Sequence, residues 1–250
     1  MLILKEERYQ EILSILEKDG FASVEYLSGK LFVSAPTIRR DLSSMQELGL
    51  ISRNHGGASI LNSGFEWSPF PVRSVTNSEI KRKLCEKAAE YLRDNITVFI
   101  DESTTTQHLV ECISSFSNIR IVTNSIAVVN LALKYKITVF CLGGELAADT
   151  LSFVGRSAQD MLSHFSMDMM FFSSSGVNDR GMIVDYSIRS NAVRRIALEY
   201  SDKTFFLCDS SKFGKSDTFN LMPVSSADFI IIDEPLPAKI STGTSKLIVV

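Results

Sequence analysis

What this chain lacks narrows it before any motif is read. No apolar run approaches the roughly 18 residues that a membrane-crossing helix needs, so no membrane role is expected. The opening residues, Met1 to Leu4, give way at once to Lys5, Glu6, Glu7 and Arg8, too early for a secretory leader, and a cytoplasmic protein is expected. The four cysteines (Cys85, Cys112, Cys141, Cys208) are scattered and form no CxxC pair; the three histidines (His55, His108, His164) are equally dispersed. That spacing supports neither a disulfide framework nor a metal site, and buried reduced thiols with no cofactor are the expectation. An excess of positive charge is missing too, since the formal net charge is -3. A global deficit does not exclude nucleic acid, because charge acts locally.

Locally the balance reverses. Residues 1–29 carry Lys5, Arg8 and Lys18 against six acidic side chains, whereas residues 30–60 carry Lys30, Arg39, Arg40 and Arg53 against Asp41 and Glu47. The cations sit on a readable unit. Tyr9, Ile12, Leu13 and Leu16 recur at helical spacing, so residues 5–18 read as an amphipathic helix closed by Asp19 and Gly20. Ser23 can cap a second helix with core positions Val24, Leu27 and Leu31. Phe32, Val33 and Ser34 then form a tight turn into a third helix ending near Gly49. In that third helix Pro36 occupies the first turn, Ile38, Leu42 and Met45 form the apolar stripe, and Thr37, Arg40 and Ser44 share another face with Arg39 and Ser43 beside it. Helix, short helix, turn, helix is the helix-turn-helix unit, whose second member enters the major groove. Residues 50–60 read as a hairpin bent at Gly56 and Gly57, with Arg53 and His55 near its tip as a wing. Candidate DNA contacts are therefore Ser34, Thr37, Arg39, Arg40, Ser43, Ser44, Arg53 and His55. One such unit makes few phosphate contacts, so an oligomer, dimer or tetramer, is expected.

Residues 1–60 are the expected DNA-binding domain. Residues 61–78, with Asn62, Ser63, Gly64, Trp67, Pro69 and Pro71, read as a linker that continues neither helix nor strand. From residue 79 to 250 short apolar strands alternate with helices, at 97–100, 120–123, 137–142, 169–172, 204–208, 229–232 and 247–250 for the strands. That pattern predicts a mostly parallel sheet covered on both faces. Lys81 and Arg82 read as a solvated face of the helix that opens this half. In such sheets ligands bind beyond the carboxyl ends of the strands. Polar residues collect there: Asp101 to Thr106, Thr123 to Ser125, Gly143 to Glu145, Ser173 to Gly176, and Asp209 to Lys212. Each loop is expected to lead toward a helix N-terminus, where free N–H groups and the dipole favour an anion. A phosphorylated sugar or polyol is the expected ligand, with Asp101, Ser103, Thr104, Thr105, Thr106, Thr123, Asn124, Gly143, Gly144, Glu145 and Lys212 as candidate contacts.

These segments, taken in order, resemble the DeoR-type bacterial transcriptional repressors nearly end to end. Ser34 to Leu42 and Arg53 to Ala58 look like the family's DNA-binding half. Asp101 to Thr106, Val122 to Ser125, Leu142 to Leu146 and Asp209 to Gly214 look like its sensor half. The resemblance implies a winged helix-turn-helix followed by a Rossmann-like α/β domain related to ribose-5-phosphate isomerase, a sugar-phosphate effector and an oligomer. The chain departs from the family pattern at Ser103, where Gly is usual, and at Ser173-Ser174-Ser175-Gly176, where Gly-Ala-Asp-Gly is common. Glu102 adds a charge to the first loop, and residues 183–191 are poor in acidic side chains. Phe32 stands in the turn where Gly or Asn is preferred, and a Phe there implies an adjusted backbone.

The sequence therefore points to a DNA-binding transcriptional regulator, a repressor of carbohydrate genes, that binds double-stranded operator DNA. The alternatives are a sugar-phosphate isomerase-like enzyme, using Asp101, Glu102 or Glu145 for proton transfer with Lys212, and a DNA-binding protein with a non-functional sensor. No catalytic residue is assigned.

Overall fold

A computed structural model describes residues 5–47, 50–54, 56–60 and 70–250. The chain divides into two compact units, Met1–Thr76 and Asn77–Val250.

In the first unit α1 (Lys5–Asp19) is followed by a short strand β1 (Phe21–Ser23), which the sequence pattern did not reveal. Helix α2 (Val24–Leu31) begins where Ser23 accepts the Tyr26 N–H on its hydroxyl, and α3 (Ala35–Glu47) where Ser34 accepts the Thr37 N–H. The expected third-helix end near Gly49 lies outside the described residues, as do His55 and Trp67. Strands β2 (Ile51–Asn54) and β3 (Gly57–Ile60) form the expected hairpin, and β1 adds to it in the order β1-β3-β2. Both bend glycines have a reason. Gly56 has φ 82, and a Cβ on Gly57 would collide with the Ala22 carbonyl. The core is Tyr9, Ile12, Leu16, Leu27, Ile38, Leu42, Met45 and Ile51, the apolar stripes of the helices turned inward. Asp41 is buried with them, and Arg8 grips it through two bonds of 2.8 and 3.1 Å.

Two expectations for this stretch need correcting. The turn has not adjusted around Phe32: it takes the left-handed conformation at φ 54 as the C-cap of α2, its N–H bonded to the Ser28 carbonyl. The segment expected as a linker from 61 to 78 carries a helix, α4 (Phe70–Val75), which packs on α1 and contributes Val72 to the core. Pro71 is harmless there because it stands in the first turn, where the missing N–H has no intrahelical partner.

The second unit runs α5 (Ser78–Ala89), β4 (Thr97–Ile100), a 3-10 turn at Thr106–His108, α6 (Leu109–Ile113), β5 (Arg120–Thr123), α7 (Ile126–Tyr135) and β6 (Thr138–Cys141). It continues with β7 (Glu145–Ala147), β8 (Ser152–Val154), α8 (Arg156–Leu162), β9 (Met169–Phe172), β10 (Gly176–Val177), β11 (Met182–Asp185) and α9 (Ile188–Glu199). It closes with β12 (Thr204–Cys208), β13 (Phe219–Pro223), β14 (Phe229–Ile232) and β15 (Lys246–Val249). Seven strands form one sheet in the order β15-β14-β12-β9-β4-β5-β6, and every neighbouring pair is parallel. Strand periodicity divides the core between the two faces. Val98, Ile100, Ile121, Phe171, Phe205 and Leu207 pack under α5, α6 and α7. Phe99, Val122, Met170, Phe172 and Phe206 pack under α8 and α9. Burial on both faces is why these strands read as unbroken apolar runs. A small antiparallel sheet, β10-β11-β13, and the β7-β8 hairpin complete the unit.

The chain runs outward from β4 through β5 to β6, then returns to lay β9 on the other side of β4. The crevice between the carboxyl ends of β4 and β9 is thus the topological switch point, where open α/β sheets place ligands.

Phe205 stacks between Phe171 and Phe229 at centroid separations of 4.8 and 4.4 Å. Phe205→Ala is expected to lower the stability of the second unit by about 3–5 kcal/mol. A urea titration followed by circular dichroism should show the midpoint fall; an unmoved midpoint would mean that the sheet core tolerates the cavity.

Candidate functional site

On the first unit the candidate contacts gather around α3. Arg39 and Arg40 are exposed, whereas Ile38, Asp41, Leu42 and Met45 are buried. Arg39 approaches Glu25 at 3.8 Å, with side chains 56% and 72% exposed. A pair that open is worth little in water and yields readily to a phosphate. The negative charge of Asp41 does not oppose the arginines on the surface, because Arg8 holds it inside. Ser34 and Thr37 join hydroxyls at 2.9 Å at the start of α3. Arg53 reaches from β2 and donates to the Ser43 hydroxyl at 2.7 Å, and Ser43 donates in turn to the Arg39 carbonyl. Wing and helix are thereby pinned together. Ser44 is half-buried on α3, and His55 lies outside the described residues.

On the second unit the switch point is filled by charge. Arg194, on α9, is buried and meets three carboxylates: Asp101 at 3.0 Å, Glu102 at 2.9 Å and Asp185 at 2.9 Å. Asp101 also accepts the N–H of Ser103 and of Ser173, and the hydroxyl of Thr106 at 2.7 Å. It therefore bridges the loops after β4 and β9. Burial pushes the Asp101 carboxyl up against the pull of Arg194. Burial is again the largest influence on Glu102 and would raise it, but Arg194 together with hydrogen bonds from its own backbone, Ser190 and Asn124 holds Glu102 below the usual carboxylate range. The three carboxylates outweigh desolvation at Arg194 and raise its own value.

Much of the sequence-expected ligand set is therefore spent on holding the loops. The Ser103 hydroxyl caps the turn, accepting the Thr106 N–H at 3.1 Å. Thr123 donates to the Ile100 carbonyl at 2.6 Å and accepts the Ser125 N–H. Asn124 donates to Glu102 and to the Phe153 carbonyl, both at 3.2 Å. The buried Thr105 hydroxyl and the Asn124 amide oxygen have no hydrogen-bond partner among the described residues. The exposed Gly143 and Gly144 lead into β7, where the Glu145 carboxylate pairs with Arg189 at 2.7 Å.

Four departures from the sequence reading follow. The loops at Gly143–Glu145 and Ser173–Gly176 lead into strands β7 and β10, not into helices, and Asp209–Lys212 leads into a single 3-10 turn. The helix-dipole argument holds in full only for α7, where Ser125 accepts the Val128 N–H. Lys81 is not on a solvated face; it is 4% exposed, and its ammonium donates to the Thr104 hydroxyl at 3.0 Å. Arg82, beside it, is exposed as expected.

A second cation, Lys212, donates to the Ser173 hydroxyl at 3.0 Å and lies 3.7 Å from Asp209. Asn77 opens α5 at φ 54 without capping it, and its amide instead bonds Asp209 and Ser211. Burial would raise Asp209, but Lys212, the Ser211 hydroxyl, Lys81 and Asn77 together hold it below its ordinary value. Two ammonium groups, each resting on a hydroxyl, thus flank the carboxyl ends of β4, β9 and β12. Sequence reading missed Lys81, Asp185 and Arg194. The one available signal for Lys81 was its helical spacing from Leu84, Cys85 and Ala88, which puts it on the buried stripe.

Residues 8–64 match the DeoR-like helix-turn-helix domain, and residues 76–234 match the DeoR C terminal sensor domain. The chain belongs to the DeoR family. The glycerol-3-phosphate regulon repressor of Escherichia coli K12 is 32% identical over 94% of this chain and 93% of its own. The lactose phosphotransferase system repressor of Staphylococcus epidermidis is 33% identical over 92% of each. Both DeoR relatives are named as repressors and neither as an isomerase. Among solved structures, ribose 5-phosphate isomerase A of Methanocaldococcus jannaschii overlays with a TM-score of 0.42, at 14% identity over 55% of each chain. No described helix is long and apolar enough to cross a membrane.

His108 lies beside this site. Burial first, then the charges of Lys81 and Arg82, push its pKa from 6.5 down to about 4. The unfolded chain therefore takes up this proton before the folded chain does. The stability contributed by neutral His108 is complete above about pH 6.5 and is lost as pH falls toward 4. Unfolding free energy measured across that window should fall less steeply with acid in His108→Gln than in the wild type. Identical slopes would show that His108 titrates alike in both states.

Proposed function

We propose that this protein is a cytoplasmic transcriptional repressor that binds operator DNA as a homo-oligomer and responds to a phosphorylated sugar or polyol. On the DNA side the reading rests on Arg39 and Arg40, exposed on α3 while the one acid within the helix's buried face is neutralised by Arg8. Insertion of α3 into the major groove lets one arginine address a guanine, worth about 1–3 kcal/mol of discrimination, and the other a phosphate. Ser34, Thr37, Ser43, Ser44, Arg53 and His55 are proposed as the surrounding backbone contacts. A single copy offers few cations, so two copies on a two-fold site supply the phosphate contacts that affinity requires.

On the effector side the carrying observation is the pair of ammonium groups, Lys81 on Thr104 and Lys212 on Ser173, at the switch-point end of the sheet. A phosphate bridging them would add charged oxygens to the partners that each ammonium already has, and charged oxygens bind ammonium groups more strongly than hydroxyls do. Thr104, Thr105, Asn124 and Lys212 are proposed as contacts, with Asp101, Ser103, Thr106 and Thr123 shaping the loops. Gly143, Gly144 and Glu145 are proposed for the outer rim. The names of the DeoR relatives make glycerol 3-phosphate and phosphorylated sugars the first compounds to test.

Two measurements test the halves separately. Replacing Arg39 and Arg40 together with alanine should weaken binding to an operator recovered by in vitro selection by about a hundredfold or more, with an unchanged melting temperature. Wild-type affinity in a band-shift assay would refute the interface. Thr104→Ala with Lys81→Met should leave DNA binding without ligand intact and abolish the response to the compound that shifts the wild-type melting temperature. A response of undiminished size would locate the effector elsewhere.

A further inference from the structure

Phe32 is 95% exposed, more than any other large apolar side chain described, and it holds the left-handed conformation at φ 54. Each fact alone is unfavourable. A bare phenyl ring gains nothing from water, and a bulky side chain is strained at a left-handed position that Gly adopts freely and Asn tolerates. The local structure does not need a ring. Val33 donates to the Ser28 carbonyl at 3.2 Å and Ser28 donates to the Val33 carbonyl at 2.6 Å, so backbone and a serine already close the turn. The other exposed aromatics among the described residues of this unit differ. Phe21 lies against Gly57, and Tyr26 bonds Asp19 through its hydroxyl and sits under Lys30.

The place of Phe32 decides what the ring is for. It stands two residues before Ser34, the cap of α3, and the first residues of a recognition helix are those that reach base edges. Next along the chain come the Ser34–Thr37 hydroxyl pair, the exposed Pro36 and the exposed Arg39. Cations and hydroxyls can hold the phosphates and leave the ring facing the groove. The apolar group offered by the major groove is the C5 methyl of thymine, which a phenyl ring contacts well.

We infer that Phe32 is a specificity-determining residue that reads a thymine methyl at the edge of the groove occupied by α3. This rests on the proposed DNA-binding reading. The turn carries a strained aromatic because the contact compensates for it when DNA is bound.

Uracil substitution tests this directly, since it removes only the methyl. A duplex is first selected with the wild-type protein, and each thymine is then replaced by uracil in turn. The wild type should lose about fourfold in affinity at one thymine in each half-site, the value of one buried methyl. Phe32→Asn, which suits the left-handed turn, should bind a few-fold more weakly and show no loss at that thymine. Its melting temperature should equal or exceed that of the wild type. A variant with the wild-type uracil profile would overturn the inference, as would a wild type indifferent to uracil at every position. If Phe32→Asn keeps the profile and sediments as a smaller species, the ring joins copies of the chain instead and the inference also falls. Failure of the wild type to select any duplex would defeat the DNA-binding reading, and this one with it. Arg39→Ala losing affinity while Phe32→Asn keeps every methyl response would defeat this one alone.

Discussion

Everything at the carboxyl ends of the large sheet depends on one guanidinium. Arg194 faces Asp101 and Glu102 from the end of β4 and Asp185 from the end of β11, while Asp101 also ties down the loop after β9. Such a cluster is costly to desolvate, and an apolar replacement of equal volume would serve stability as well. What it adds is position. With Asp101 fixed, the Ser103 N–H and the Thr106 hydroxyl have one place to go, and the loop closes on itself. Thr104 is left to meet Lys81. The hydroxyls that look from sequence like a row of ligand contacts thus divide into those that build the loop and those that remain beside the cations.

The legible parts of the fold are those governed by a period. The stripe Ile38, Leu42, Met45 gives α3, and the runs 97–100, 169–172 and 204–208 give strands within their observed limits, because burial on both faces leaves no polar interruption. The three-residue β1 and the antiparallel β10, β11 and β13 escaped, since two to five residues hold too little pattern and their pairing is set by distant segments. In the site the hydroxyl-rich loops were readable from composition, but their partners were not. Arg194 lies 92 and 93 positions from Glu102 and Asp101, so no local spacing announces it. Lys81 was misjudged because a lysine beside an arginine looks like a wet surface, and the helical stripe shared with Leu84 and Ala88 was the stronger signal.

The overall acidity of the chain conceals how its charge is sorted. Asp41 is taken up by Arg8 inside the first unit, and Asp101, Glu102 and Asp185 are taken up by Arg194 inside the second. A count that treats all carboxylates alike assigns repulsion from a polyanion to groups that never face one. The exposed arginines of α3 set the local field, and at physiological salt that field reaches only about 8 Å.

The thiols carry a last consequence. Cys85 and Cys208 are wholly buried, Cys112 and Cys141 half-buried, and burial raises all four, Cys208 to about 12. Nucleophilic attack on peroxide needs the thiolate, which is scarce for such groups near neutrality. Burial thus keeps these four sulfurs in the protonated form, and direct oxidation by peroxide is slow at each of them.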